Sequence, residues 1–167
     1  IMLVTVMSKT TEKNKKLLAE AANFFADILM DPRMVRNITL DIEIIPGLDV
    51  EGECIDEDGI KNPRWFTINL RKQTIDDMIK VLAHEMVHVK QHAKNELQGG
   101  IMVPTRGGMK MTSKWMGEVW KPKAKECHYY DSPWEREAFG MENGLFYKWF
   151  TRDDKSKSWF VGSSAKR

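Results

Sequence analysis

Cysteine is scarce in this chain: Cys54 and Cys127 are the only two among 167 residues. They leave room for one disulfide, but not for a disulfide framework or a Cys-x-x-Cys metal ribbon, and reduced thiols in an intracellular setting are the expectation. No apolar run approaches the ~20 residues of a membrane span. The opening Ile1-Met2-Leu3-Val4-Thr5-Val6-Met7 lacks the basic leader and long apolar core of a signal peptide, so it reads as a first strand. A first residue of Ile rather than Met leaves room for residues upstream. Excess charge of one sign is also missing: the formal net charge is +2. Neither nucleic acid nor a membrane is called for as a partner, and a cytoplasmic location is expected. Internal repeats, low-complexity blocks and linkers are absent, so the length suits one domain over residues 1–167, with 162–167 as a flexible tail.

What is present alternates between helix and strand patterns. Thr10 and Thr11 offer N-caps to a helix reaching Met30, with Leu17, Leu18, Ala21, Phe24, Phe25, Ile28 and Leu29 at helical spacing. Asp31-Pro32 ends it. Ile38, Leu40, Ile42 and Ile44 alternate with polar residues, the pattern of a half-buried strand. Further strands are expected around Val50 to Ile55 and Arg64 to Leu70, joined by the acidic turn Asp56-Glu57-Asp58-Gly59, which reads as a solvated hairpin tip rather than a calcium loop. Thr74-Ile75-Asp76-Asp77 opens a helix by a hydroxyl cap with an acid three positions on, and the helix is expected to run towards Leu97. Residues 99–126 have weak periodicity; Val103 to Gly108 reads as a loop and Lys114 to Trp120 as strand or hairpin. Ser132-Pro133 announces a last helix reaching Phe150. The class expected is α+β, with a mostly antiparallel twisted sheet packed on the N-terminal, central and C-terminal helices.

The central helix carries His84-Glu85-Met86-Val87-His88. Two histidines four apart project from one helix face, about one turn from each other, so both imidazoles reach a single zinc ion. Glu85 sits beside that pair, placed to take a proton from a water on the metal without occupying a ligand position. A catalytic zinc needs a third protein ligand and an open position for water. His92 lies ~12 Å along the axis from His84, too far to share the ion. Lys94 stands where the metzincin pattern requires a histidine.

The sequence resembles the gluzincins, in which His-Glu-x-x-His is completed by a glutamate from a later helix, including ImmA/IrrE-like peptidases. Ser132-Pro133-Trp134-Glu135-Arg136-Glu137-Ala138 matches the Glu-x-x-Ala and Glu-x-Glu-Ala contexts of that ligand. The resemblance implies Glu135 as third ligand, with Glu137 as the alternative. Phe139 departs from the family, where a polar residue four positions after the ligand often supports a zinc histidine. The likeness also implies a zincin-like sheet whose edge strand, placed at Arg64 to Leu70, pairs with an extended peptide, so that Phe66, Ile68 and Asn69 line the cleft. His128, Tyr129 or Tyr130 could donate to a transition-state oxyanion, His128 being the preferred guess. The expectation is therefore a zinc metallopeptidase acting on a peptide or protein substrate. Alternatives are a SprT-like protease for DNA-bound proteins, a regulatory peptidase that cuts a repressor, and a non-catalytic zinc-stabilised binding module.

Overall fold

The computed structural model describes residues 1–59, 61–123, 125 and 129–153. Its class is α+β. The first strand, β1 (Leu3–Val6), is followed by α1 (Glu12–Leu29), whose first turn is capped by Thr11 Oγ1 accepting from Asn14 N at 3.1 Å. Leu18, Ala21, Ala22, Phe25, Ala26 and Leu29 form its buried stripe. Asp31 stops α1 and starts the short α2 (Pro32–Val35), where its carboxylate accepts from the amides of Arg33 and Met34.

Strands β2 (Thr39–Ile45), β3 (Gly52–Asp56) and β4 (Trp65–Arg71) join β1 in a sheet of order β1-β2-β4-β3. The β1–β2 and β2–β4 pairs are parallel and only β3–β4 is antiparallel. This corrects the expectation of a mostly antiparallel sheet. Polar–apolar alternation reports that one sheet face is covered and the other wet, but says nothing about strand direction. Here α1 supplies the crossover that a parallel β1–β2 pair requires. Leu40, Ile42, Phe66, Ile68 and Leu70 are buried on the covered face.

The expected edge strand is also corrected. β4 immediately precedes the central helix in sequence, yet it lies inside the sheet between β2 and β3. The edges are β1 and β3, and β3 is the one against the central helix. Both neighbours of β4 occupy its backbone hydrogen bonds, and Phe66 and Ile68 are fully buried core residues. Asn69 spends its amide N–H on Glu53 Oε1 at 2.8 Å. None of the three lines the main cavity. The turn from β3 to β4 consumes its acids internally: Asp56 Oδ1 accepts from Asp58 N and Gly59 N, and Asp58 Oδ2 from Arg64 N and Trp65 N.

Helix α3 (Ile75–Ala93) is capped by Thr74 and packs on β3, β4 and α1. It stops before Leu97 because Asn95 turns left-handed at φ 57° and Glu96 N bonds back to Gln91 O. The weakly periodic stretch forms a small sheet of order β5-β6-β7: β5 (Leu97–Thr105), β6 (Gly108–Trp115) and β7 (Glu118–Val119); Lys114 to Trp120 holds the β6–β7 hairpin as expected, whereas Val103 to Gly108, read as a loop, closes the β5–β6 ladder. The last helix, α4 (Pro133–Phe150), has Ser132 at its N-cap and Pro133 in its first turn, as expected. It packs mainly on α3 rather than on the sheet. Among the described residues no helix is long and apolar enough to cross a membrane. The expected tail, 162–167, lies outside the described residues.

Candidate metal centre

α3 and α4 cross so that one turn of the first faces the start of the second. His84, Glu85, His88 and Glu135 are all buried, with at most 8% of their surface exposed. Glu135 reaches both histidines: its Oε2 lies 3.1 Å from His84 Nε2 and its Oε1 3.2 Å from His88 Nε2. Ligand atoms around a tetrahedral zinc with bonds of ~2.0–2.1 Å stand roughly 3.3 Å apart, so these spacings fit one ion. His84, His88 and Glu135 are the group of donors able to hold a metal among the described residues.

The opposite ring nitrogens are held as metal histidines require. His84 Nδ1 donates to Glu142 Oε2 at 2.8 Å, and His88 Nδ1 to Gln91 Oε1 at 2.8 Å. Gln91, wholly buried, donates its own amide to Trp134 O and Glu137 Oε1, which fixes its oxygen towards His88. Sequence reasoning missed both supports. Glu142 lies seven residues after Glu135, two turns along the same face, and Gln91 lies three after His88, so helical spacing carried the signal. Phe139, where a supporting polar residue was expected, packs its ring against His84 at 4.6 Å between centroids.

Glu137 turns away from the histidines. Its carboxylate pairs with Lys90 at 2.7 Å, and Lys90 also pairs with Glu96 at 2.7 Å. His92 does not join the metal group; burial, with the nearby His88, holds its pKa below the ordinary histidine value. His128 and Cys127 lie outside the described residues. Cys54, within β3, is a free thiol whose pKa is pushed up by burial and by Glu85 and Asp56.

Charge in this centre is tightly coupled. Burial opposes charge on His84 and His88, but hydrogen bonds to the Glu135 carboxylate, together with Glu85 nearby, outweigh it and raise both pKa values. Carboxylates facing both of its nitrogens favour the protonated form of His84 when no metal is bound. Glu135 is also opposed by burial, yet the two histidines bring its pKa down to about 2. Glu85 goes the other way, to about 7, because burial dominates and the histidines only partly offset it. A buried carboxylate poised near neutrality is the state a general base needs.

A cavity of about 500 Å³ opens over His84 and Glu85. Val50, Glu51 and Gly52 of the edge strand region form one wall; Tyr129, Tyr130, Phe139 and Glu142 form the other. Gly52 is needed for close approach: a Cβ there would stand 2.5 Å from Val81 Cγ1 and 3.1 Å from Glu85 Oε1. The tyrosines, half or more exposed, rim the cavity rather than packing in the core. Tyr129 has its pKa pushed up to about 12 by burial and by Glu135 and Glu85, so its phenol keeps its proton. No protein-family model, curated protein or solved structure matches the chain.

Proposed function

We propose that this protein is a zinc-dependent, zincin-like peptidase that hydrolyses peptide bonds at the centre built on His84, Glu85, His88 and Glu135. The observation that carries the reading is the pairing of a three-ligand donor set with an adjacent buried carboxylate that is not a ligand. The donor set fits the ion: two imidazoles and one carboxylate converge, and each imidazole has its far nitrogen hydrogen-bonded. When bound there, zinc supplies Lewis-acid polarisation and lowers the pKa of a water molecule to near neutrality.

The chain's own residues account for the rest. Glu85, raised to about 7, accepts the proton of the attacking water and delivers it to the leaving amine. Tyr129 offers a protonated phenol at the cavity rim as a donor to the carbonyl oxygen. The free edge of β3 offers backbone amides and carbonyls to an extended peptide, and Gly52 lets that strand run directly above Glu85. This moves the substrate-facing strand from β4, where the sequence placed it, to β3.

The test compares two variants on an unstructured protein substrate. Glu85→Gln keeps stoichiometric zinc and loses hydrolysis by a factor of about a hundred or more, whereas His84→Ala loses both. Unimpaired turnover in zinc-loaded Glu85→Gln overturns the mechanism.

A further inference from the structure

The near-zero balance of charge conceals a separation. Residues 37–60 hold eight acids and no base, whereas residues 97–125 hold six bases (Arg106, Lys110, Lys114, Lys121, Lys123 and Lys125) and the single acid Glu118. The basic segment is the hairpin of β5 and β6 with the chain that follows it.

That hairpin is two-faced. Met102 pairs across the ladder with Met111, and Pro104 with Met109, so these four side chains share one face. Ile101 and Val103 point to the other face and are half-buried, while Met102, Met109 and Met111 are 49%, 60% and 67% exposed. The apolar face is therefore the solvent-facing one. Arg106 stands exposed at the tip, while Lys110, paired with Val103, is exposed on the face opposite the methionines. The root is fixed to the body: Trp115 and Trp120 stack on Trp134, at 6.3 and 5.1 Å between centroids, next to the ligand Glu135.

We propose that this outward face docks on an anionic lipid surface, with the three methionines entering the boundary below the headgroups and Arg106, at the tip of a segment with six bases to one acid, meeting headgroup phosphates. Long apolar side chains on one face, with Arg106 at its tip and an excess of bases along the hairpin segment, supply the two signals that reversible membrane attachment needs. Single-stranded nucleic acid fits less well, since it calls for aromatic stacking platforms and residues 98–114 contain none.

The experiment is co-sedimentation of the full chain with vesicles of equal parts phosphatidylserine and phosphatidylcholine, against vesicles of phosphatidylcholine alone. It needs no hydrolytic activity and is independent of the peptidase reading. Binding is expected to the mixed vesicles and to weaken with salt. Arg106→Gln should lower partitioning roughly fivefold, the effect of one charge near the surface. Met102→Ser with Met109→Ser and Met111→Ser, all at exposed positions, should lower it more than about tenfold. Equal binding to neutral vesicles, or a methionine variant that binds like the original, overturns the proposal. So does a self-association abolished by the methionine substitutions, or binding of single-stranded nucleic acid without binding of vesicles.

Discussion

His84 serves a metal through Nε2 best when its other nitrogen is held, and Glu142 holds it at 2.8 Å. Loss of such a support costs metal sites about 10–100-fold in affinity. Glu142→Ala should therefore weaken zinc binding by that factor in a chelator competition titration, with the fold intact because Glu142 is partly exposed. Glu137→Gln should leave zinc affinity within about twofold, since Glu137 is committed to Lys90 and Gln91. Reversed results would exchange the two residues' roles. Both glutamates were visible in the sequence. Choosing between 135 and 137 needed the rotation of α4 against α3, which a two-residue offset changes by more than half a turn.

At the scale of elements, the closest fit lies between β3 and α3. Ala at Gly52 would force its Cβ against Val81 Cγ1 and push the edge strand off the helix that carries Glu85. Gly52→Ala should cost about 1–3 kcal/mol in denaturant unfolding, a typical overpacking penalty. Adding Val81→Ala should recover most of it, because the clash is then removed from the other side. Additive losses in the double variant would show that Gly52 serves something other than this contact. The helices were legible because their caps and apolar stripes are local: Thr11, Thr74 and Pro133 mark starts that the fold keeps. Strand order was not. β3 folds back outside β4 through a nonlocal pairing that no periodicity records. The β5–β6 hairpin escaped notice because its outer face is apolar and its inner face only half-buried, the inverse of the usual strand pattern.

Across the whole molecule, protons and metal compete for one buried centre. Without metal, raised pKa values at His84 and His88 stabilise the fold below about pH 6.5, and that contribution is lost as pH rises through the folded-state values. Glu85, raised to about 7, adds the same trend between its ordinary 4.5 and that value. Glu135, lowered to about 2, acts oppositely: its contribution is present above 4.5 and lost as pH falls towards 2. Metal-free protein should thus melt at the highest temperature around pH 5 to 6. Zinc needs neutral imidazoles, so its affinity should fall by up to about a hundredfold per pH unit once both histidines are protonated. Thermal melts with and without zinc check this: the stabilisation by zinc should grow from pH 6 to about 8, and an increment independent of pH would contradict histidine ligation. The α+β class and the histidine pair could be read from spacing alone; the mixed sheet and the two supports of the histidines are products of tertiary assembly.

The central claim is an open, three-ligand metal site with a free carboxylate beside it. Its most direct test is zinc anomalous diffraction from a crystal of the zinc-loaded protein. One ion should be bound by His84 Nε2, His88 Nε2 and the Glu135 carboxylate, with water in the remaining position and Glu85 outside the coordination shell. A fourth protein ligand closing the site, or zinc held by Glu137 or Glu85 in place of Glu135, would contradict it.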